Sequence, residues 1–435
     1  MKRTILTLGL LWAACFGASA QMRLTLAEAI DLALSENPTI KVAELEVQRF
    51  DYVKRQTWGN LLPQLSASGS YQRSIVKSEM RGGISFGADN TFAVQGDLTL
   101  PLFAPQVYRT MKLNNTQMAA AVEAARSSRI ALVSEVKKAF YNILLAEQSL
   151  DVLRESQATV QRTVDDTDLQ YRHGLASEYD LLTAQVQLSN LQPTIIQTET
   201  SIKLAKLLLK MYLSIPEEVE IDIEGQLDAM RDQVLAGTDG LTADLTENSD
   251  LRTLDLQQEL LRRQLKVANA GRLPSLGAFG SATYSGNDMA PFMGIGGEDA
   301  SKYFWTHPIT VGVQLSVPIF AGLTRMNKSR EIKNQISQLS LQRTYAEQQI
   351  SVQMQSALND LLTAREKMFA QERTVEQARK AYAISDTRYR AGAGTILELN
   401  SAQLARTQAQ LNFSQAIYDY LSAKAEYDRI AGREK

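Results

Sequence analysis

Two stretches of this 435-residue chain each follow a long run that contains neither glycine nor proline: YRHGLASEYDLLTAQ (Tyr171–Gln185) and YRAGAGTILELNSAQ (Tyr389–Gln403). The first run covers the 68 residues Gln106–His173 and the second the 69 residues Leu323–Ala391. Glycine and proline are the strongest interrupters of regular structure, so each run predicts one helix, about 100 Å long at 1.5 Å per residue. Gly174 and Gly392 then offer the left-handed backbone that a tight reversal needs. Ser177 and Thr395 are N-cap candidates for a returning helix, and each has an acid three residues on, Asp180 and Glu398, in the pattern of a capping box.

Working outward, the whole chain repeats. Glu36-Asn37-Pro38 aligns with Glu247-Asn248-Ser249, and Pro63 with Pro274, at an offset of 211; LTLPLFAP (Leu98–Pro105) aligns with LSVPIFAG (Leu315–Gly322) at 217, and the two opening stretches at 218. An offset that grows along the chain marks a structural repeat with a longer loop in its second copy. Each copy reads as an amphipathic helix, two short alternating segments around a loop, a very long helix, a glycine turn and a returning helix. The organisation expected is a leader over 1–20, a first repeat over 21–212, a linker over 213–246 and a second repeat over 247–435. In the linker, EEVEIDI (Glu217–Ile223) predicts a small strand among loops.

The long runs are weakly hydrophobic. In the second, Leu339, Ala346, Ile350, Ala357, Leu361 and Met368 follow an 11-residue repeat, which keeps neighbouring helices nearly straight. A helical wall that is wet on one or both sides fits such faces better than a dry bundle. Helix length alone fits an ordinary coiled-coil stalk equally well. The alternating segments do not: Leu65–Tyr71, Phe92–Leu100, Leu276–Tyr284 and Ile309–Val317 have the length and period of outer-membrane barrel strands, with Phe279 off the pattern. Aromatics such as Tyr71, Phe92, Tyr284 and Trp305 gather beside them. Four strands do not close a barrel, and an open edge in lipid costs several kcal/mol per unpaired backbone group, so several chains must share one. The loops Ser74–Asn90 and Ser285–Thr306 are polar and glycine-rich; Gly294-Ile295-Gly296-Gly297 in the second lacks the strand-turn-helix context of a phosphate cradle.

The chain begins with Lys2 and Arg3, the apolar run Ile5–Phe16 and Ala18-Ser19-Ala20, the pattern of a secretory signal peptide ending before Gln21. Cys15, the single cysteine, would leave with it, so no disulfide is available and stability rests on packing. Acylation of Cys15 stays open as a second reading, though Trp12 so close to it fits poorly. Removing Lys2 and Arg3 takes the formal net charge from −2 to −4, with both signs scattered, which excludes a nucleic-acid surface. His173 and His307 are the two histidines. They fall far apart in this architecture, and no metal-ligand spacing, nucleophile elbow or phosphate loop accompanies them, so no catalytic residue, metal or cofactor is expected.

ENP at 36–38, Pro63 and Pro274 before the strands, LPLF and VPIF at 100–103 and 317–320, and the twin YR-x-G turns, in this order, resemble the TolC-type outer-membrane efflux protein family over essentially the whole mature sequence. The resemblance implies a mainly α fold with membrane β strands: a homotrimer whose duplicated strand pairs and long helices build a 12-strand β-barrel on a 12-helix tunnel. It implies an exit duct in the outer membrane of a Gram-negative bacterium, serving a tripartite efflux pump or type I secretion system. Its partners would be a periplasmic adaptor (membrane fusion) protein, an inner-membrane transporter that chooses the cargo, and outer-membrane lipid. By position in the family motif, Asp180 and Glu398 fall on acidic aperture sites and Tyr389 on a tyrosine of the links that hold the tip closed. Gly394 stands where some members have an arginine, and Ser401 where some have a second acid, so the closed-state links would be built differently here. A periplasmic coiled-coil adaptor or stalk without a pore is the rival reading, and the paired apolar strands count against it.

Overall fold

Both uninterrupted runs are single helices in the computed structural model, which describes residues 22–80, 84–236, 242–288 and 303–434. The leader with Cys15 and the segment Gly294–Gly297 lie outside the described residues. In chain order come β1 (Met22–Leu24), α1 (Leu26–Glu36), α2 (Pro38–Gly59), β2 (Gln64–Arg73), β3 (Ser78–Met80), β4 (Ile84–Phe86) and β5 (Asn90–Phe103). The first long helix α3 (Pro105–Arg172) and its return α4 (Glu178–Leu213) follow, then β6 (Ile221–Ile223), α5 (Leu227–Ala236) and α6 (Ser249–Ala270). The second copy closes with β7 (Ser275–Asn287), β8 (Phe304–Thr306), β9 (Ile309–Ser316), the long helix α7 (Thr324–Arg390) and its return α8 (Ile396–Ile430).

The linker departs from expectation in two ways. Its strand keeps only Ile221–Ile223 of the alternating EEVEIDI, in parallel with Met22–Leu24, and α5 forms where loops were expected. The opening helix of the first copy is also split, because Asn37 ends α1 with an extended backbone and Pro38 starts α2, a position where the missing proline N–H costs nothing.

Contacts divide the chain into two units, one holding residues up to Leu45, Glu123–Arg252 and those from Thr344, the other Glu46–Val122 and Thr253–Arg343. In the first, Phe140, Ile143, Leu209, Leu213, Ile417, Tyr420 and Tyr427 make a core with β1 and β6. The asparagines of the repeated ENP and ENS segments do equivalent work there. The side-chain amide of Asn37 donates to the Tyr212 carbonyl at 2.8 Å, and that of Asn248 to the Ile430 carbonyl at 2.7 Å. Each thereby satisfies a carbonyl at the end of a returning helix, where no backbone partner remains. Their own side-chain oxygens accept from Thr39 and Leu251 backbone N–H groups.

Along α7 the 11-residue pattern buries Leu339, Ile350, Ala357, Leu361 and Met368, with Ala346 half-buried. Toward the glycine turns the packed interior thins to small clusters, one of Leu150, Leu153 and Ile195 and another around Val164.

The second unit contains an antiparallel sheet in which β2 pairs β5, β5 pairs β7 and β7 pairs β9, with β8 beside the outer end of β7. Ladder partners share a face, so Leu65, Leu98 and Tyr71, Phe92 stand on one side while Ser66, Asp97 and Ser68, Gln95 stand on the other. On the same unit Asn114 and Thr57 form a buried side-chain hydrogen bond of 2.6 Å.

Candidate functional site

The twin turns are built alike. After α3, the Gly174 N–H donates to the Tyr171 carbonyl at 2.9 Å and the Leu175 N–H to the Gln170 carbonyl at 2.8 Å; after α7, Gly392 and Ala393 repeat this with Tyr389 and Arg388 at 3.0 and 2.8 Å. This crossed pair is the Schellman closure, which needs a left-handed residue. Gly174 and Gly392 supply it with φ of +73° and +72°, and a Cβ at either would meet nothing within 4 Å. The requirement at both is conformational, with no steric component.

Each return then starts at a closed capping box. The Asp180 N–H donates to Ser177 Oγ at 3.1 Å while the Ser177 N–H and hydroxyl donate to Asp180 Oδ2 at 3.1 and 2.7 Å. In the second copy the Glu398 N–H donates to Thr395 Oγ1 at 3.2 Å, and the Thr395 N–H to Glu398 Oε2 at 3.4 Å. Glu398 is also 3.9 Å from the Arg388 guanidinium, but both side chains are more than half exposed, where an ion pair is worth little. Both carboxylates therefore serve as helix caps.

Tyr389 finds a partner that the linear sequence does not announce. Its hydroxyl lies 3.0 Å from Thr167 Oγ1, and Thr167 is fully buried. Because the Thr167 hydroxyl already donates to the Thr163 carbonyl at 2.7 Å, Tyr389 is the donor. The ring packs against the apolar cluster that Val164 of α3, Leu181 and Ala184 of α4, and Ile396 and Leu399 of α8 form together. Four helix ends are thus tied together within one copy by one apolar knot and one neutral hydrogen bond, and Tyr389 pairs with neither Asp180 nor Glu398.

Beside the knot is a polar cleft of about 240 Å³ that includes Glu155, Arg162, Asp386, Arg390 and Arg406. The Arg406 side chain is 13 % exposed and 3.4 Å from Glu155, and its guanidinium stacks 4.4 Å from the centre of the Tyr382 ring. Burial pushes the Tyr382 phenol above its ordinary pKa, as does Asp386 nearby. Thr167 and Arg406 both escaped sequence reading, because each sits in an otherwise ordinary helical stretch.

On another face, the first turns of α4 and α8 enclose an open hollow of about 480 Å³ lined in part by Tyr179, Leu182, Val186, Leu397, Ser401 and Leu404. Tyr179 and Leu397, Thr183 and Ser401, and Val186 and Leu404 correspond at the 218-residue offset. Ser401 faces this apolar hollow. Among the described residues no cluster of acids, histidines and cysteines is placed to hold a metal ion, and no helix is long and apolar enough to cross a membrane.

Comparison with known proteins agrees with the duplicated plan. The chain is 24 % identical over 415 residues to the alkaline protease secretion protein AprF of Pseudomonas aeruginosa, covering 94 % of this chain and 84 % of that one. It is 24 % identical over 315 residues to the outer membrane protein TolC of Vibrio cholerae, covering 69 % and 67 %. The outer-membrane channel OprN superposes with a TM-score of 0.74 at 16 % identity, over 94 % of this chain and 89 % of OprN. The family described as outer membrane efflux protein matches residues 29–213 and 241–433, one match on each repeat. With twin helix-turn-helix tips, a five-strand antiparallel sheet and this match over most of its length, the chain belongs to the outer membrane efflux protein family.

Proposed function

We propose that three copies of this chain close into one duct, a 12-strand β-barrel on a 12-helix tunnel, through which cargo leaves the periplasm. The chain is an outer-membrane channel protein, and one observation carries the assembled reading: the sheet β2-β5-β7, with β8 and β9 both paired to β7, ends in two open edges, β2 on one side and β8 with β9 on the other. Ile309, Val311, Val313 and Leu315 on β9 are 64 to 80 % exposed. An apolar sheet with open edges leaves unpaired backbone groups in lipid at several kcal/mol each. Pairing the β8–β9 edge of one copy with β2 of the next removes both edges, and the family resemblance supplies the number three.

In that duct the Gly174 and Gly392 turns form the periplasmic end. Asp180, Glu398 and Tyr389 act at its aperture, the acids as rings that attract cations and the tyrosine as a tether of α7 to α3. Cargo arrives through a periplasmic adaptor protein energised by an inner-membrane transporter, and the chain itself carries out no chemistry. AprF is named for protease secretion and OprN is described as a channel; which kind of cargo this duct passes is set by its transporter.

Single-channel recording of the detergent-extracted protein in a planar bilayer tests this reading. Discrete, small, cation-preferring steps are expected. A folded, inserted sample that passes no current would overturn the assembled duct.

A further inference from the structure

The sheet has one face that is almost uniformly polar. Ser66, Ser68, Gln95, Thr283, Thr310 and Gln314 stand on it, by the ladder register that puts Leu98, Val94 and Val313 on the opposite face. With the apolar face turned to lipid, this polar face is the inner wall of the barrel. Three residues interrupt it, and one of them, Phe304, stands at its end as the ladder partner of Asn287. Phe279, the residue that breaks the alternation of β7, lies in its middle, and Asp97 is the ionisable side chain on that face among the described strand residues.

Phe279 and Asp97 are neighbours. Phe279 pairs with Thr99 across the β5–β7 ladder while Asp97 pairs with Ser281, so their backbones are diagonal on adjacent strands, with Cα atoms roughly 7–8 Å apart. The far end of the ring lies over Gly312, its ladder partner on β9. A Cβ at Gly312 would be only 2.7 Å from Phe279 Cζ. Glycine there lets the ring lie against the wall while it remains 39 % exposed. Asp97 accepts from the Gln95 side-chain amide at 2.7 Å, which holds the carboxylate in place. Phe279 also walls a hollow of about 500 Å³ that includes Thr99, Pro101, Gly277 and Gln314.

We propose that Phe279 and Asp97 form a transit site for aromatic organic cations on the inner wall of the barrel, repeated once per copy. The inference rests on the duct reading above. A ring face attracts a cation and stacks on an aromatic body, the carboxylate supplies the opposite charge, and the adjacent hollow has room for a small organic molecule. A wall made mostly of small and uncharged polar side chains binds such a cation poorly, so the site localises it without trapping it, as conduction requires. The competing account is that the ring only covers the bare backbone of Gly312, a known way of stabilising a strand glycine.

Open-channel block in a planar bilayer separates the two, using the full-length protein with tetraphenylphosphonium or tetraethylammonium added on the barrel side. Wild type should be blocked by the aromatic cation at a roughly five- to tenfold lower concentration than by the aliphatic one. Phe279→Leu, which keeps an apolar cover on Gly312, should erase that preference, whereas Phe279→Tyr should retain it. Asp97→Asn should weaken block by both cations about threefold, and it supplies the decisive variant if Phe279→Leu does not assemble. Wild-type preference in Phe279→Leu, or unchanged block by both cations in Asp97→Asn, would overturn the transit site while leaving the duct intact. Failure of the folded wild type to conduct would overturn both.

Discussion

Tyr389 and Thr167 sit 222 residues apart in sequence, yet their hydroxyl pair is the polar tie between the tip of α7 and α3. Thr167 keeps its backbone partner when Tyr389 is changed, so Tyr389→Phe removes one neutral hydrogen bond, worth about 0.5–1.5 kcal/mol, and leaves the apolar knot. The expected result is a channel that opens more often, by roughly two- to tenfold, without loss of fold. Thr167→Val should do the same, and the double variant should add little to either, a cycle readable in single-channel open probability. The glycines divide by mechanism. Gly174→Ala and Gly392→Ala strain only the backbone, at about 1–2 kcal/mol each. Gly432→Ala should cost more, since its φ is also positive and the new Cβ would fall 2.1 Å from the Glu247 carbonyl oxygen; thermal melting of the three variants would rank them.

At the scale of the element, the capping boxes separate stability from selectivity. Ser177→Ala or Thr395→Ala should lower stability by about 1 kcal/mol. Glu398→Gln keeps a side chain able to close the box but removes the charge. Cation preference at the aperture should therefore fall while the melting temperature holds; unchanged selectivity would leave Glu398 with the cap alone. These boxes were readable from sequence because their parts lie three residues apart. The partner of Tyr389 was not, because nothing local marks Thr167 among the threonines of α3. The break between α1 and α2 was written in Asn37-Pro38, but the reason that asparagine recurs at 248 lay in distant carbonyls at 212 and 430. The helix α5 was missed because its ten residues lie in a segment whose composition reads as loop.

Across the whole molecule, the helical unit carries a pH-dependent bond between α3 and α8. Burial works to raise the pKa of Glu426, but hydrogen bonds from Arg429 and Lys138 outweigh it and hold the carboxyl at about 2, below its ordinary 4.5. A depressed carboxylate stabilises the fold fully above pH 4.5, and that contribution is lost as pH falls toward about 2. Wild type should lose melting temperature across this window more steeply than Glu426→Gln. The length of both long helices, the positions of their turns, the duplication and the strand faces were all determined by the sequence, because each depends on residues near in the chain: an absence of breakers, a glycine, an alternation of period two. Only the tertiary structure decided which hydroxyl holds Tyr389, which carbonyls the paired asparagines satisfy, and that Phe279 lies on Gly312. Those contacts join residues far apart in sequence, and their geometry exists only once helices pack and strands fall into register.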